Sequence, residues 1–294
     1  MNNDIKKFDI LVYHDNCMDG LVSVAIAAEY CDEDCLLIPG DYREDIDFEI
    51  FIDKHVCFLD YSTKRDIMVM VLDAAAGVTV LDHHISAWHE LHDITDDRFN
   101  FVYDVRRSGA QIAWDYFTDL PQPPFIKLIG DRDLWTKKYE SSDVMNLALR
   151  VVDPGVKGMR VHIRHLIDNH ERHHTTDFIT RNLINKGESF QKYHDYLVKG
   201  ICEQAKYANL SDGKDTEVWK VNCPLGLMSD VGAVLAKTSP SGVAWLYYCI
   251  TDTEVKHSLR VSANSEYNAS EFAASKNGGG HIKAAGWSSD SING

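Results

Sequence analysis

The chain has 294 residues, 45% of them hydrophobic and 26% charged, and a formal net charge of -15. Composition of that kind belongs to an ordinary globular protein, and the length suffices for one large domain or two of usual size. The acidic balance argues against a binder of long duplex nucleic acid, whose affinity comes from lysine and arginine at phosphates, but it leaves room for a small phosphorylated substrate if bound cations reverse the local sign.

No apolar run of about 18 residues occurs, so no spanning helix and no membrane partner is expected. Residues 1–7 are polar and lack the apolar core of a secretory signal. Cysteines stand at 17, 31, 35, 57, 202, 223 and 249. Their odd number and scatter speak against a disulfide framework and for a reducing, cytoplasmic setting. Cys31 and Cys35 are four apart, but without a second pair they do not make a structural zinc site.

In chain order, residues 8–13 predict a strand and 21–30 an alanine-rich helix after the turn Asp19-Gly20. Short strands are expected at 35–38, 56–59, 78–81 and 99–102, with helices at 63–75 and 109–117. Residues 125–130 read as a further apolar strand closed by Asp131. This alternation predicts an α/β fold with a mainly parallel sheet. Helical periods follow at 143–152 and 161–170, separated by Asp153-Pro154-Gly155. A long amphipathic helix is expected at 190–207, after a turn at Lys186-Gly187. Strands are expected at 218–221, 243–250 and 258–262. The division expected is an N-terminal domain over 1–185, a helical linker over 186–214 and a smaller α/β domain over 215–294.

Chemistry concentrates at the ends of the first strands. Asp82-His83-His84 directly follows Val80-Leu81; Asp60 closes one strand and His14 another. In an open parallel sheet, ligands bind beyond the carboxyl ends of strands. His14, Asp19, Asp60, Asp82, His83 and Asp131 together offer the oxygen and imidazole donors that suit manganese, with magnesium or cobalt as substitutes. A bridging carboxylate, for which Asp82 is the most economical choice, would hold two ions about 3.5–4 Å apart. Asp133 is an alternative to Asp131, and Cys17 a soft ligand or supporting residue. A lone Asp after a strand is more often a cap or turn former, which could cover Asp60 and Asp19; it covers the adjacent imidazoles of His83 and His84 poorly. His162, His165 and His170, with His173 and His174 beyond, read as a solvated helix face.

The run Gly278-Gly279-Gly280-His281 is the second signal. Glycine lets backbone approach a ligand closely, so Gly279, Gly280 and His281 are candidate phosphate holders, with Arg260 as a two-bond clamp. Ala284-Ala285-Gly286 behind them is expected to open a tightly packed helix. Arg107, beside Arg106 and Ser108, offers another anion site before a helix.

On these motifs the chain resembles the DHH phosphoesterase family in its two-domain DHH/DHHA1 form, along nearly its whole length. The resemblance implies an N-terminal metal-binding α/β domain, a helical linker, a smaller substrate-binding domain and a catalytic cleft between the domains. It implies two manganese ions on His14, Asp19, Asp60, Asp82, His83 and Asp131, with His84 near the scissile phosphate and Arg260 and His281 on the substrate's terminal phosphate or nucleotide end; His84 and Asp82 are the candidate catalytic residues. Many members carry Asp-x-Asp where this chain has Cys17-Met18-Asp19, so the first metal site is expected to be weaker, differently ligated or selective for a softer ion. The expected activity is a metal-dependent phosphodiesterase on short oligonucleotides or small nucleotide phosphoesters, as in the oligoribonuclease members. Exopolyphosphatase or pyrophosphatase activity, and a non-catalytic nucleotide-binding protein, stand as alternatives. A homodimer is left open.

Overall fold

The structure, a computed structural model, describes residues 8–15, 17–40, 47–152, 155–171 and 178–293. The chain divides into two compact units, Met1–Gln191 and Lys192–Gly294.

The first unit opens with β1 (Ile10–His14), α1 (Met18–Ala27), β2 (Leu36–Gly40) and β3 (His55–Leu59). It continues with α2 (Arg65–Ala74), β4 (Gly77–Asp82), α3 (Ile85–Leu91) and β5 (Phe99–Tyr103). The helices α4 (Gly109–Phe117), α5 (Pro124–Asp133), α6 (Ser141–Val152), α7 (Val156–Glu171) and α8 (Phe178–Cys202) follow. Its five strands are all parallel, in the order β2-β1-β3-β4-β5. The strands read as near-continuous apolar runs because both sheet faces are covered. Leu11, Cys57, Leu59 and Leu81 point into a core shared with α1, α4, α5, α6 and α7. Their neighbours Ile10, Val12, Val56, Phe58, Val78 and Val80 point into the opposite core with α2 and Leu91 of α3. Each fully buried aliphatic side chain there contributes roughly 1.5–3 kcal/mol of transfer free energy.

The chain leaves β1 towards β2 on one side and returns to β3 on the other. The strand order therefore reverses between β1 and β3, and the crevice beyond their carboxyl ends is where an open α/β sheet accepts ligands.

The parallel sheet and most of its elements follow the sequence expectation. Residues 125–130 do not: they form α5, not a strand. Pro124 sits in the first helical turn, where its missing N–H costs nothing. Phe125, Ile126, Leu128 and Ile129 then make one buried helical stripe. Lys186-Gly187 is likewise not a turn but the interior of α8, which begins at Phe178. A Cβ on Gly187 would stand 1.8 Å from the Val144 carbonyl oxygen of α6, so the glycine serves a close helix crossing. Asp153, Pro154, His173, His174 and residues 1–7 lie outside the described residues.

The second unit carries β6 (Lys206–Asn209), β7 (Glu217–Asn222), α9 (Met228–Thr238), β8 (Val243–Thr251) and β9 (Glu254–Val261). After these come α10 (Ala269–Ser275), β10 (Gly279–His281) and β11 (Ala284–Ser289). Its six-stranded mixed sheet has the order β10-β11-β9-β8-β7-β6. Only β7 and β8, joined through α9, pair in parallel. One face packs Val243, Trp245 and Leu259 with Phe272 of α10. The other packs Ala244 and Leu246 with Val231 and Leu235 of α9. Ala284-Ala285-Gly286 does not open a helix; it starts β11, paired with the glycine segment as a hairpin. Among the described residues no helix is long and apolar enough to cross a membrane.

Candidate metal centre

His14 ends β1, Asp60 follows β3, and Asp82, His83 and His84 end and follow β4. They meet Asp19 from the first turn of α1 and Asp133 from the end of α5. Two groups of donor atoms each lie within 4.8 Å of one another: Asp19, His83 and Asp133, and His14, Asp60 and His84.

Asp60 stands between the two groups. Its Oδ1 is 3.1 Å from His83 Nε2 and 3.8 Å from His84 Nδ1, and its Oδ2 is 3.5 Å from His14 Nδ1. Asp133 Oδ2 and Asp19 Oδ2 lie 3.4 and 3.9 Å from the same His83 Nε2. Asp60 is only 1% exposed, and its oxygens face imidazole nitrogens without a well-aligned hydrogen bond. A buried carboxylate in that state is costly unless something positive faces it. Its backbone is unusual as well, with φ of 54°, and its N–H donates to the Leu81 carbonyl at 2.9 Å.

Asp19 is held by the start of α4. The Gly109 N–H donates to its Oδ2 at 2.5 Å and the Ala110 N–H to its Oδ1 at 3.0 Å. Ser108 sets that helix start through a capping box with Gln111. A side chain at Gly109 would meet Asp60 Cβ at 2.5 Å and Asp19 Oδ2 at 2.9 Å, so glycine there lets α4 close on both carboxylates.

Asp82 has a different part. Its Oδ1 accepts the N–H of His83 at 2.7 Å and that of His84 at 3.0 Å, and pairs with His84 Nδ1 at 2.7 Å. Asp82 orients the two histidines, as partners of metal-binding imidazoles commonly do, while Asp60 is the carboxylate that reaches His14, His83 and His84.

The electrostatics follow from crowding. Burial raises Asp19 well above the usual carboxylate range, and Asp133 and Asp60 add to this. Burial also raises Asp133. Burial alone would raise Asp60, but His14 and His83 override it and hold the carboxyl low. Burial depresses the His83 imidazole, yet Asp60 and Asp133 bring it up to about 10. His14 is lifted well above its ordinary value in the same way by Asp60 and Cys17, against burial. Two buried carboxylates and a half-buried one, with three imidazoles, form a mixed oxygen and nitrogen donor set of the kind that manganese accepts.

Asp131 is not brought to these groups. It lies on α5, and its Oδ1 accepts the Thr136 hydroxyl at 2.5 Å and the Lys138 N–H at 2.7 Å. Its Oδ2 accepts the Tyr139 N–H at 3.3 Å. It braces the loop after α5, where Trp135 and Lys137 have φ of 56° and 53°. Asp133, two residues on, faces His83 instead. Only the helical character of α5, which sends residues two apart to different sides, tells them apart. Cys17 shares a hydrogen bond with His14; burial, then Asp60, pushes its thiol up to about 11. It stands outside both donor groups. Arg107 is committed to Asp104 at 2.9 Å and Asp115 at 2.8 Å. His162 and His165 lie on α7.

In the second unit, His281 pairs across β11 with Ala284, and Ala284 with Arg260 on β9. Directly opposed residues share a sheet face, so His281 and Arg260 flank Ala284 on one side of the sheet. The Arg260 stem lies where a Gly232 Cβ would stand, 2.5 Å from its Cγ. Its guanidinium donates to the Leu259 carbonyl at 3.0 Å and to the Ser258 hydroxyl. Gly280 has φ of 134° and a side chain there would strike the Ala284 carbonyl oxygen at 2.6 Å, whereas Gly279 faces open space.

The two-unit α/β architecture agrees with the DHH/DHHA1 form that the motifs resemble. No protein-family model matches the chain. Among curated proteins, an uncharacterized protein of Acanthamoeba polyphaga mimivirus is 28% identical over 316 residues, covering 97% of this chain and 68% of that protein. Among solved structures, an uncharacterized protein from Helicobacter pylori aligns at 13% identity and a TM-score of 0.43, covering 98% of this chain and 96% of its own. A pGpG-specific phosphodiesterase, PggH, from Vibrio cholerae aligns at 14% identity and a TM-score of 0.48, covering 96% and 93% of the two chains.

Proposed function

We propose that this chain is a metal-dependent phosphodiesterase of the DHH/DHHA1 type, acting on short oligonucleotides or small nucleotide phosphoesters in the cytoplasm. The observation that carries the proposal is Asp60: a buried carboxylate that faces imidazoles of two groups of His and Asp donors at the switch point of a parallel sheet.

Asp19, His83 and Asp133 would hold one divalent ion and His14 a second, with Asp60 shared. Manganese is the expected metal. Bound there, such ions would supply water activation and charge neutralisation at phosphoryl oxygens. The chain supplies the rest. The start of α4 fixes Asp19 through two amide bonds. Asp82 accepts a hydrogen bond from His84 Nδ1, which fixes that ring and leaves its Nε2 to exchange a proton with the leaving oxygen. Arg260 and His281 are proposed to bind phosphate.

The test is turnover of a 5'-phosphorylated dinucleotide and of tripolyphosphate, side by side, with manganese and after chelation. Metal-dependent hydrolysis of the dinucleotide is expected. Dominant tripolyphosphate turnover would move the assignment to a polyphosphatase. Tight nucleotide binding without hydrolysis in excess manganese would make it a binding protein.

A further inference from the structure

A phosphodiesterase that prefers nucleotides to inorganic chains needs a group that reads the base, and a flat aromatic ring is the usual one. The first unit presents such a ring on α3, one helical turn from His84. Trp88 lies on α3, and its N–H donates to the His84 carbonyl at 3.3 Å. Residues four apart on a helix share a face, with Cβ atoms roughly 5–6 Å apart, so Trp88 stands one turn from His84. His92 continues the same stripe. Its Nδ1 donates to the Trp88 carbonyl at 2.8 Å, and its ring stacks on the indole at 4.9 Å and 23°. Tyr103 supports the indole from β5 at 5.1 Å and 34°. Tyr103 is itself the register partner of Asp82.

The ring is thus held rigidly on its own neighbours, yet it remains 39% exposed. A purely structural duty does not account for that exposure. Ala87 and Leu91, each 1% exposed, already bury α3 against the sheet.

We propose that Trp88 is the platform on which the base adjoining the scissile phosphate stacks. This rests on the phosphodiesterase assignment above and narrows its substrates to those carrying a nucleobase.

The experiment compares wild type, Trp88→Leu, which still covers the sheet but cannot stack, and Trp88→Phe, which can. Dissociation constants are measured by calorimetry for a dinucleotide and for its abasic analogue, with calcium as the supporting ion, and KM and kcat are measured with manganese. Trp88→Leu is expected to weaken dinucleotide binding and raise its KM about 10- to 100-fold. The abasic analogue should bind unchanged, kcat should hold, and Trp88→Phe should restore most of the loss. Equal weakening of both ligands, or of neither, overturns the platform. Should wild type hydrolyse nothing, the enzyme assignment fails, while the calorimetric comparison still decides the role of Trp88.

Discussion

Replacing Gly109 by Ala adds one methyl group at the most crowded point of the metal centre. The new Cβ would sit 2.5 Å from Asp60 Cβ and 2.9 Å from Asp19 Oδ2, about 1 Å inside ordinary carbon contact. Both obstacles are buried and belong to backbone-anchored Asp residues, so α4 must retreat. Overpacking of this kind costs roughly 1–3 kcal/mol. Weakening the amide bonds to the Asp19 carboxylate adds about 1.5–3 kcal/mol. The reduced freedom of the unfolded chain returns only about 0.4–1 kcal/mol. The net expectation is a loss of about 2–5 kcal/mol, which for a unit of this size lowers the melting temperature by roughly 4–20 °C. Manganese affinity should fall at least tenfold, because Asp19 and Asp60 shift together. Gly200, in α8 with nothing within 4 Å of its would-be Cβ, is the internal control: Gly200→Ala should stabilise by about 0.5–1 kcal/mol. Calorimetric melting and manganese titration of both variants decide the matter. A Gly109→Ala protein as stable and as metal-avid as wild type would refute the close approach of α4 to the two carboxylates.

Asp131 and Asp133 should separate cleanly. Asp133→Asn relieves a half-buried carboxylate crowded by Asp19 and Asp60, so the metal-free protein should melt higher at pH 7 while manganese binding drops. Asp131→Asn should lower the melting temperature by loosening the loop at 134–139 and leave manganese affinity near wild type. Manganese should raise the melting temperature of the wild-type protein, since it binds only the folded state; Asp60→Ala should abolish that rise. Asp82→Asn should keep the fold but lower kcat about 10²- to 10⁴-fold as His84 loses its anchor, and turnover within threefold of wild type would remove Asp82 from the mechanism. His257, stacked on Trp287 at 4.9 Å and accepting from Trp245 Nε1 at 3.0 Å, is held neutral, chiefly by burial, with its pKa lowered to about 4. Below pH 6.5 the unfolded chain takes up this proton first, so its contribution to stability is complete above that pH and drains away towards pH 4. His257→Gln should flatten the slope of melting temperature across that window.

The parallel sheet was legible because β1, β3 and β4 are apolar on both faces, and only sheets covered by helices need that. Their polar ends, His14, Asp60 and Asp82-His83-His84, stood out for the same reason. What failed was arbitration between short apolar runs. Residues 125–130 satisfy strand and buried helix equally, and the choice settles whether Asp131 or Asp133 faces the histidines. Ala284-Ala285-Gly286 reads as a helix start because small residues suit close helix packing. They also suit close strands: a Cβ on Gly278 would lie 2.1 Å from the Gly286 carbonyl oxygen. The edge strand β6 is polar and largely exposed, and its sequence carries no signal. The placement of Asp60 within reach of His14, His83 and His84 depends on loop geometry that periodicity cannot reach.

The positive φ at Asp60 restricts what mutation can do there. Side chains longer than Asp or branched at Cβ fit that conformation badly, and Asn fits it nearly as well as Asp. Glu would keep the negative charge but oppose the turn; Asn would keep the turn but discard the charge. No conservative exchange satisfies both demands, so drift at this codon has nowhere harmless to go.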